Sequence, residues 1–148
     1  MEYSMVGRIA SILERKGSAI HSVSPDATVY EAIAVMAAKE IAAVLVIEQG
    51  SLLGIISAKD YGTRVVLEGK NGKDVLVREV MTTPVMTVGP DVKIMEAMEI
   101  MTTKNIRHLP VLKDDTLVGV VTLADLVCAI LADKKFNIEQ LMRYVGHK

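Results

Sequence analysis

The sequence predicts an α+β fold made of two copies of one β-α-β-β-α unit, packed about a pseudo-twofold axis, with a flanking helix at each end. The first observation behind this is an internal repeat. Pro25-Asp26 recurs 65 residues on as Pro90-Asp91, and the register then holds without a gap through Val23/Val88, Glu31/Glu96, Ala32/Ala97, Met36/Met101, Ile41/Ile106, Gly54/Gly119 and Asp60/Asp125. A repeated unit rarely buries its apolar face alone, so two copies imply a pair facing each other across a shared core. The second is periodicity: each copy passes from a short apolar strand to helical spacing, then to two strand-like runs and a second helix. The third is composition. At 148 residues, 51% hydrophobic and 24% charged, the chain can bury a sizeable core and is not disordered.

Residues 1–17 form the N-terminal flank, with an amphipathic helix expected near Met5–Lys16. Repeat 1 covers 18–68. Ala19–Val23 is a short strand ended by Ser24-Pro25-Asp26, because proline turns the preceding residue away from the helical region, and Asp26 or Thr28 can cap the next helix. Val29–Lys39 places Val29, Ile33, Met36 and Ala37 at helical spacing. Ala43–Ile47 is a β-branched run, Gln49-Gly50-Ser51 turns into the strand Leu52–Ile56, and Ser57 opens a helix to about Leu67. Residues 69–80 are a turn-rich linker, with one helical turn expected at Val77–Met81. Repeat 2 covers 81–133, with strands at Val85–Val88, Leu109–Leu112 and Leu117–Val121 and helices at Ile94–Thr103 and Thr122–Ala132. Pro110 lacks an N–H and belongs at a strand start or on an edge strand. Residues 134–148 supply a second flanking helix near Asn137–Val145. The flanks cover the pair or build a dimer contact.

Composition excludes several function classes. The longest apolar runs, Ile41–Ile47 and Leu126–Ala132, fall far short of the ~20 residues needed to span a bilayer. A net charge of −1 with mixed signs and 3% aromatics gives neither the basic stripe nor the stacking platform of nucleic-acid binders. Lone Cys128 excludes an intrachain disulfide, and no signal peptide is visible, so the cytoplasm is expected. Met86, Met95, Met98 and Met101 read as adaptable core filler. No metal-ligand spacing, phosphate-binding glycine loop or serine elbow is present, so neither a metal nor a catalytic residue is assigned.

The most specific polar signal is a glycine, two apolar residues, Ser or Thr, two residues and Asp. It occurs as Gly54-Ile55-Ile56-Ser57-Ala58-Lys59-Asp60 and as Gly119-Val120-Val121-Thr122-Leu123-Ala124-Asp125. A hydroxyl at a helix start with an acid three residues later is a capping-box pattern. The same geometry offers acceptors to a ribose diol, and the adjoining helix end favours phosphate. Both can hold, since Ser57 can cap while Asp60 points outward.

These paired motifs, with Ser24-Pro25-Asp26, Glu31-Ala32 and Asn105-Ile106-Arg107-His108-Leu109-Pro110-Val111, resemble the cystathionine β-synthase (CBS) domain family over about residues 18–133. The flanks resemble those of small bacterial proteins made of little beyond a CBS pair. The resemblance implies a tandem module that binds adenosine-containing ligands (AMP, ADP, ATP, NAD or S-adenosylmethionine) in two clefts. By that resemblance Asp60 and Asp125 hold ribose hydroxyls, Ser57 and Thr122 lie against ribose or phosphate, and the chain around Val23, Ala43, Val88 and Leu109 walls the adenine. The copies differ in their cations: Arg107-His108 stand where repeat 1 has Ala42-Ala43, and Lys59 stands where repeat 2 has Ala124. Where the family often has Glu-Arg-Asp, this chain has Ala58-Lys59-Asp60, a point charge in place of a bidentate guanidinium. The two sites are therefore expected to be unequal.

The other polar residues carry less. His21 and His147 are isolated, Cys128 among apolar neighbours reads as an inert buried thiol, and Asp114-Asp115 reads as a turn. The expected function is a regulatory, non-catalytic adenine-nucleotide sensor, a homodimer acting on a target protein of unknown identity. The alternative is an assembly module with vestigial pockets.

Overall fold

A computed structural model describes residues 6–133 together with Glu139, Met142 and Arg143. Apart from those three positions, the expected C-terminal helix lies outside the described residues, as does His147. In chain order the elements are α1 (Ile9–Lys16), β1 (Ser22–Val23), α2 (Val29–Lys39), β2 (Ala43–Glu48), β3 (Ser51–Ser57), α3 (Ala58–Tyr61) running into a π-helical turn at Gly62–Val66, α4 (Val77–Val80), α5 (Ile94–Lys104), β4 (His108–Lys113), β5 (Thr116–Thr122) and α6 (Leu123–Ala132). They divide between two compact units, one of Ile20–Val85 and one of Met1–Ala19 with Met86–Lys148.

In the unit Ile20–Val85, β2 pairs parallel with β1 and antiparallel with β3. Thr28 begins α2 with a complete capping box: its hydroxyl accepts from the Glu31 N–H at 3.1 Å, and Glu31 accepts from the Thr28 N–H at 3.3 Å. Asp26, the other candidate cap, pairs with Arg78 instead. The hairpin turns on Gln49 and Gly50, both at positive φ (51° and 82°), the combination whose twist suits a two-residue connection. The helix expected from Ser57 to Leu67 changes pitch after Tyr61, where the Leu67 N–H reaches back to the Gly62 carbonyl at 3.0 Å. Val29, Ala32, Met36, Val44, Val46, Ile56 and Val65 form the core, joined by Val75, Val77 and Val80 from the segment expected to be a linker.

The second unit repeats this around β4, β5, α5 and α6. Met95, Met98 and Met101 are buried as expected, whereas Met86 is 42% exposed and fills no core. Cys128 is exposed, which corrects the expectation of a buried thiol. The reason is helical phase: Leu126, Ala129 and Ile130 share the inward face of α6 and leave Cys128 outside it. Asp114 and Asp115 form the expected turn, again with two positive φ values (51° and 66°).

One expected strand, Val85–Val88, is reduced to a single parallel bridge between Val88 and Val111. Its counterpart β1 is anchored by the Leu45 N–H donating to the His21 carbonyl at 3.0 Å. Pro110 occupies the position of Leu45 in repeat 2 and has no N–H to give. It sits inside β4, opposite Val120, and β4 is an edge strand of a two-stranded sheet, the second of the two places expected for it.

The N-terminal flank belongs to the second unit, with Ile9 and Ile12 buried in its core. It enters as the segment around α4 enters the first. Val29 N–H donates to Val75, Val77 N–H to Ala27 and Arg78 N–H to Pro25; Ile94 N–H donates to Gly7, Ile9 N–H to Val92 and Ala10 N–H to Pro90, all at 2.8–3.0 Å. The two sets are equivalent, with the repeats displaced by 65 residues and the entering segments by 68.

Candidate functional site

Each antiparallel hairpin delivers a hydroxyl to the end of its last strand, and each following helix returns a carboxylate to it. In the first unit Asp60 Oδ2 accepts from the Ser57 N–H at 2.9 Å and from the Ser57 hydroxyl at 3.0 Å, while Ser57 Oγ accepts from the Asp60 N–H at 3.2 Å. In the second, Asp125 Oδ2 accepts from the Thr122 N–H at 2.8 Å and Thr122 Oγ1 accepts from the Asp125 N–H at 3.1 Å. Capping is therefore a role both pairs fulfil.

Register fixes the neighbours of these pairs. Ala43 lies opposite Ser57, and His108 lies opposite Thr122. The Ala58 N–H donates to the Ala42 carbonyl and the Leu123 N–H to the Arg107 carbonyl, each at 2.9 Å. The second unit thus gathers Arg107, His108, Thr122 and Asp125, and the first gathers Ala43, Ser57 and Asp60. Lys59 is exposed and makes no ion pair among the described residues. Val23 is half-buried on β1 beside Val46. Val88 is buried, with its N–H on the Pro110 carbonyl at 3.1 Å. Leu109 is fully buried among core residues. Strand alternation explains this, because His108 occupies the position of Ala43 and Leu109 faces the other way.

The electrostatics of the two pairs differ. Asp60 has the Arg64 guanidinium 4.0 Å from Oδ1, with Arg64 also donating to the Val80 carbonyl at 2.7 Å. Asp125 has Lys16 of α1, whose ammonium lies 2.7 Å from Oδ2 and 3.0 Å from the Val120 carbonyl. Partial burial would raise the Asp125 carboxyl, but the Lys16 hydrogen bond and charge, with the Thr122 hydrogen bonds, outweigh it and hold the group below its ordinary value. Burial pushes the His108 imidazole down, with Lys16 and Arg107 adding to the shift and Asp125 opposing it. That shift favours the neutral, hydrogen-bonding ring over the cation expected beside Arg107.

Lys16 and Arg64 are absent from the residues the sequence singled out. Arg64 lies one helical turn after Asp60, a spacing that could have drawn attention to it. Lys16 lies outside the 65-residue register, and only the 68-residue displacement of the flank places it in the second unit.

Among the described residues no helix is long and apolar enough to cross a membrane, and no cluster of His, Cys, Asp and Glu could hold a metal ion. The sequence matches the family described as "CBS domain" over residues 9–61 and 77–132. It is 32% identical over 146 residues to the mitochondrial CBS domain-containing protein CBSX3 of Arabidopsis thaliana, covering 93% of this chain and 71% of that one. It is also 32% identical over 118 residues to the CBS domain-containing protein YhcV of Bacillus subtilis, covering 80% and 84%. The fold is similar to that of a solved protein with CBS domains from Burkholderia ambifaria MC40-6, at TM-score 0.83 and 39% identity over 88% of this chain and 98% of that one. Two family matches, one on each copy of the hydroxyl–carboxylate motif, place this chain in the CBS domain family as a tandem pair.

Proposed function

We propose that this chain is a regulatory, non-catalytic module that binds adenine nucleotides, with Asp60 and Asp125 accepting hydrogen bonds from ribose hydroxyls. CBS pairs commonly bind adenosine-containing ligands in a regulatory role. The observation that carries the reading is the recurrence of one hydroxyl–carboxylate pair at the same strand end in both repeats, each with its Oδ1 accepting no hydrogen bond from the described residues. A capped carboxylate held still by its own helix is a preorganised acceptor for a diol. Ser57 and Thr122 border the ribose or phosphate, Lys59 and Arg107 supply cations, His108 donates or accepts as a neutral ring, and the chain around Val23, Ala43, Val88 and Leu109 walls the base. Occupancy is transmitted because a ligand at 100 times its dissociation constant stabilises the state that binds it by about 2.7 kcal/mol.

The same reading includes a homodimer. Leu67 is 79% exposed, Leu131 57% and Val66 51%, apolar side chains that a second copy of the chain would cover. Closed twofold assemblies are the commonest way to cover such surface. Calorimetry with AMP, ADP, ATP, NAD and S-adenosylmethionine, alongside light scattering, tests both parts. Binding of one or more of these ligands by a dimer is expected; a monomer that binds none of them refutes the reading.

A second reading, an assembly module without a physiological nucleotide, has one observation in its favour. The caps and Lys16 already use Oδ2 of both carboxylates. It predicts an intact dimer and no heat with any ligand.

A further inference from the structure

Lys16 ends α1, and its side chain crosses to the start of α6. Its ammonium is fixed between two acceptors, Asp125 Oδ2 at 2.7 Å and the Val120 carbonyl at 3.0 Å. The Lys16 side chain is 37% exposed and the Asp125 side chain 24%, so the pair is open to solvent and to exchange of partners. Among the described residues the first unit has no such arrangement. Displacement by 68 residues puts Pro84 at the position of Lys16, and the cation paired with Asp60 is Arg64, whose Nε stands at 4.0 Å. The asymmetry is thus built into one residue of the N-terminal flank.

A neutral diol reaching Asp125 must share a carboxylate that already holds a charge-assisted hydrogen bond, which is about twice as strong as a neutral one. A ligand that also carries a phosphate changes this balance. The lysine ammonium is a compact charge with three donors on a flexible stem, so it can turn from the carboxylate to a phosphate oxygen and lose little. Arg107 adds a second cation at the same strand end, while neutral His108 adds hydrogen bonding without charge.

We propose that Lys16 is a specificity-determining residue of the Asp125 site, competing with a neutral ribose diol for the carboxylate and yielding it to ligands that bring a phosphate. The inference rests on the reading of Asp125 as a ribose acceptor. Under it the Asp125 site discriminates AMP from adenosine more sharply than the Asp60 site does.

The test uses the full chain carrying Asp60→Asn, so that the Asp125 site reports alone. Adenosine and AMP are titrated by calorimetry into this protein and into the same protein with Lys16→Gln or Lys16→Arg. Lys16→Gln should tighten adenosine binding at least fivefold and shrink the AMP-over-adenosine preference by at least as much, while Lys16→Arg should keep the preference. AMP binding with an unchanged preference in Lys16→Gln overturns the role of Lys16 and leaves the ribose reading standing. Failure of every protein to bind either ligand overturns both. Carbon-detected NMR titration of Asp125 provides a ligand-free readout: Lys16→Gln should raise its pKa, and an unmoved titration shows that the contact does not operate in solution.

Discussion

Leu13 of α1 lies against Gly119 of β5 so closely that a Cβ on the glycine would come within 2.8 Å of Leu13 Cδ2. Gly54 of β3 has the equivalent neighbour, with a Cβ there meeting Met81 Sδ at 2.7 Å and the Thr82 carbonyl oxygen at 2.9 Å. The glycine of each repeated motif is therefore required by the entering segment that crosses its strand. Gly54→Ala collides with backbone that is itself paired to Ile55, whereas Gly119→Ala meets only the end of a leucine. Gly54→Ala should cost about 1–3 kcal/mol, the range for an overpacked core, and Gly119→Ala distinctly less. Urea denaturation of the two variants checks the order.

The repeats also differ at the start of their first long helix. Thr28 caps α2 fully, whereas Lys93 stands at the same position before α5 and provides no side-chain cap. Thr28→Ala should lose about 1 kcal/mol, and Lys93→Thr, which restores the pattern with Glu96 three residues on, should gain a similar amount. Thermal unfolding would show the two shifts with opposite sign.

These elements show why some of the fold was legible and some was not. The helices Val29–Lys39 and Ile94–Lys104 are written in local spacing, and the hairpins in their turn residues, so both were readable at nearly the correct bounds. The hydroxyl–carboxylate pairs were readable because a cap and its partner are three residues apart. The role of the flanks depends on contacts remote in sequence, such as Ile9 with Val92 and Lys16 with Asp125, which no local pattern encodes. The 68-residue echo of Ile9, Ile12 and Leu13 in Val77, Val80 and Met81 does encode it, but conservative apolar exchanges and a three-residue shift hide it from a search in one register. The fate of the strand at Val85–Val88 turned on one missing N–H at Pro110, 25 residues from Val85. The burial that pushes the His108 imidazole down is likewise tertiary, and its neighbour in sequence does not reveal it.

Stability should fall on acidification in two stages. His108 is depressed from an ordinary 6.5, so below about that value the unfolded chain takes up a proton that the folded chain refuses. Its contribution is fully present above pH 6.5 and declines as pH falls through the depressed folded value. Asp125 is depressed from an ordinary 3.8, so its contribution is present above that value and is lost as pH falls further. His108→Gln should flatten the stability profile in the first window, and Lys16→Gln should reduce the loss in the second. Denaturation midpoints measured between pH 3 and 8 test both; parallel profiles for parent and variants would exclude these two groups as the cause.

The decisive variants are Asp60→Asn and Asp125→Asn. An asparagine keeps an acceptor for the Ser57 or Thr122 N–H, so the cap survives weakened and the fold should lose a few tenths to about 1 kcal/mol. Asp125→Asn also breaks the pair with Lys16, but at this exposure that adds about 0–1 kcal/mol. If the carboxylates accept hydrogen bonds from a ribose, each variant should weaken binding at its own site by about 1.5–3 kcal/mol, tenfold to over a hundredfold, and leave the other site working. The residual sites should not be alike. The one left in Asp60→Asn, governed by Lys16 and Arg107, should favour phosphorylated ligands more strongly than the one left in Asp125→Asn, where Arg64 stands back and Lys59 is exposed. Calorimetry on both variants, with stability measured on the same samples, separates the roles. Earlier melting with nucleotide affinity equal to the parent's would mean that these aspartates serve only as caps.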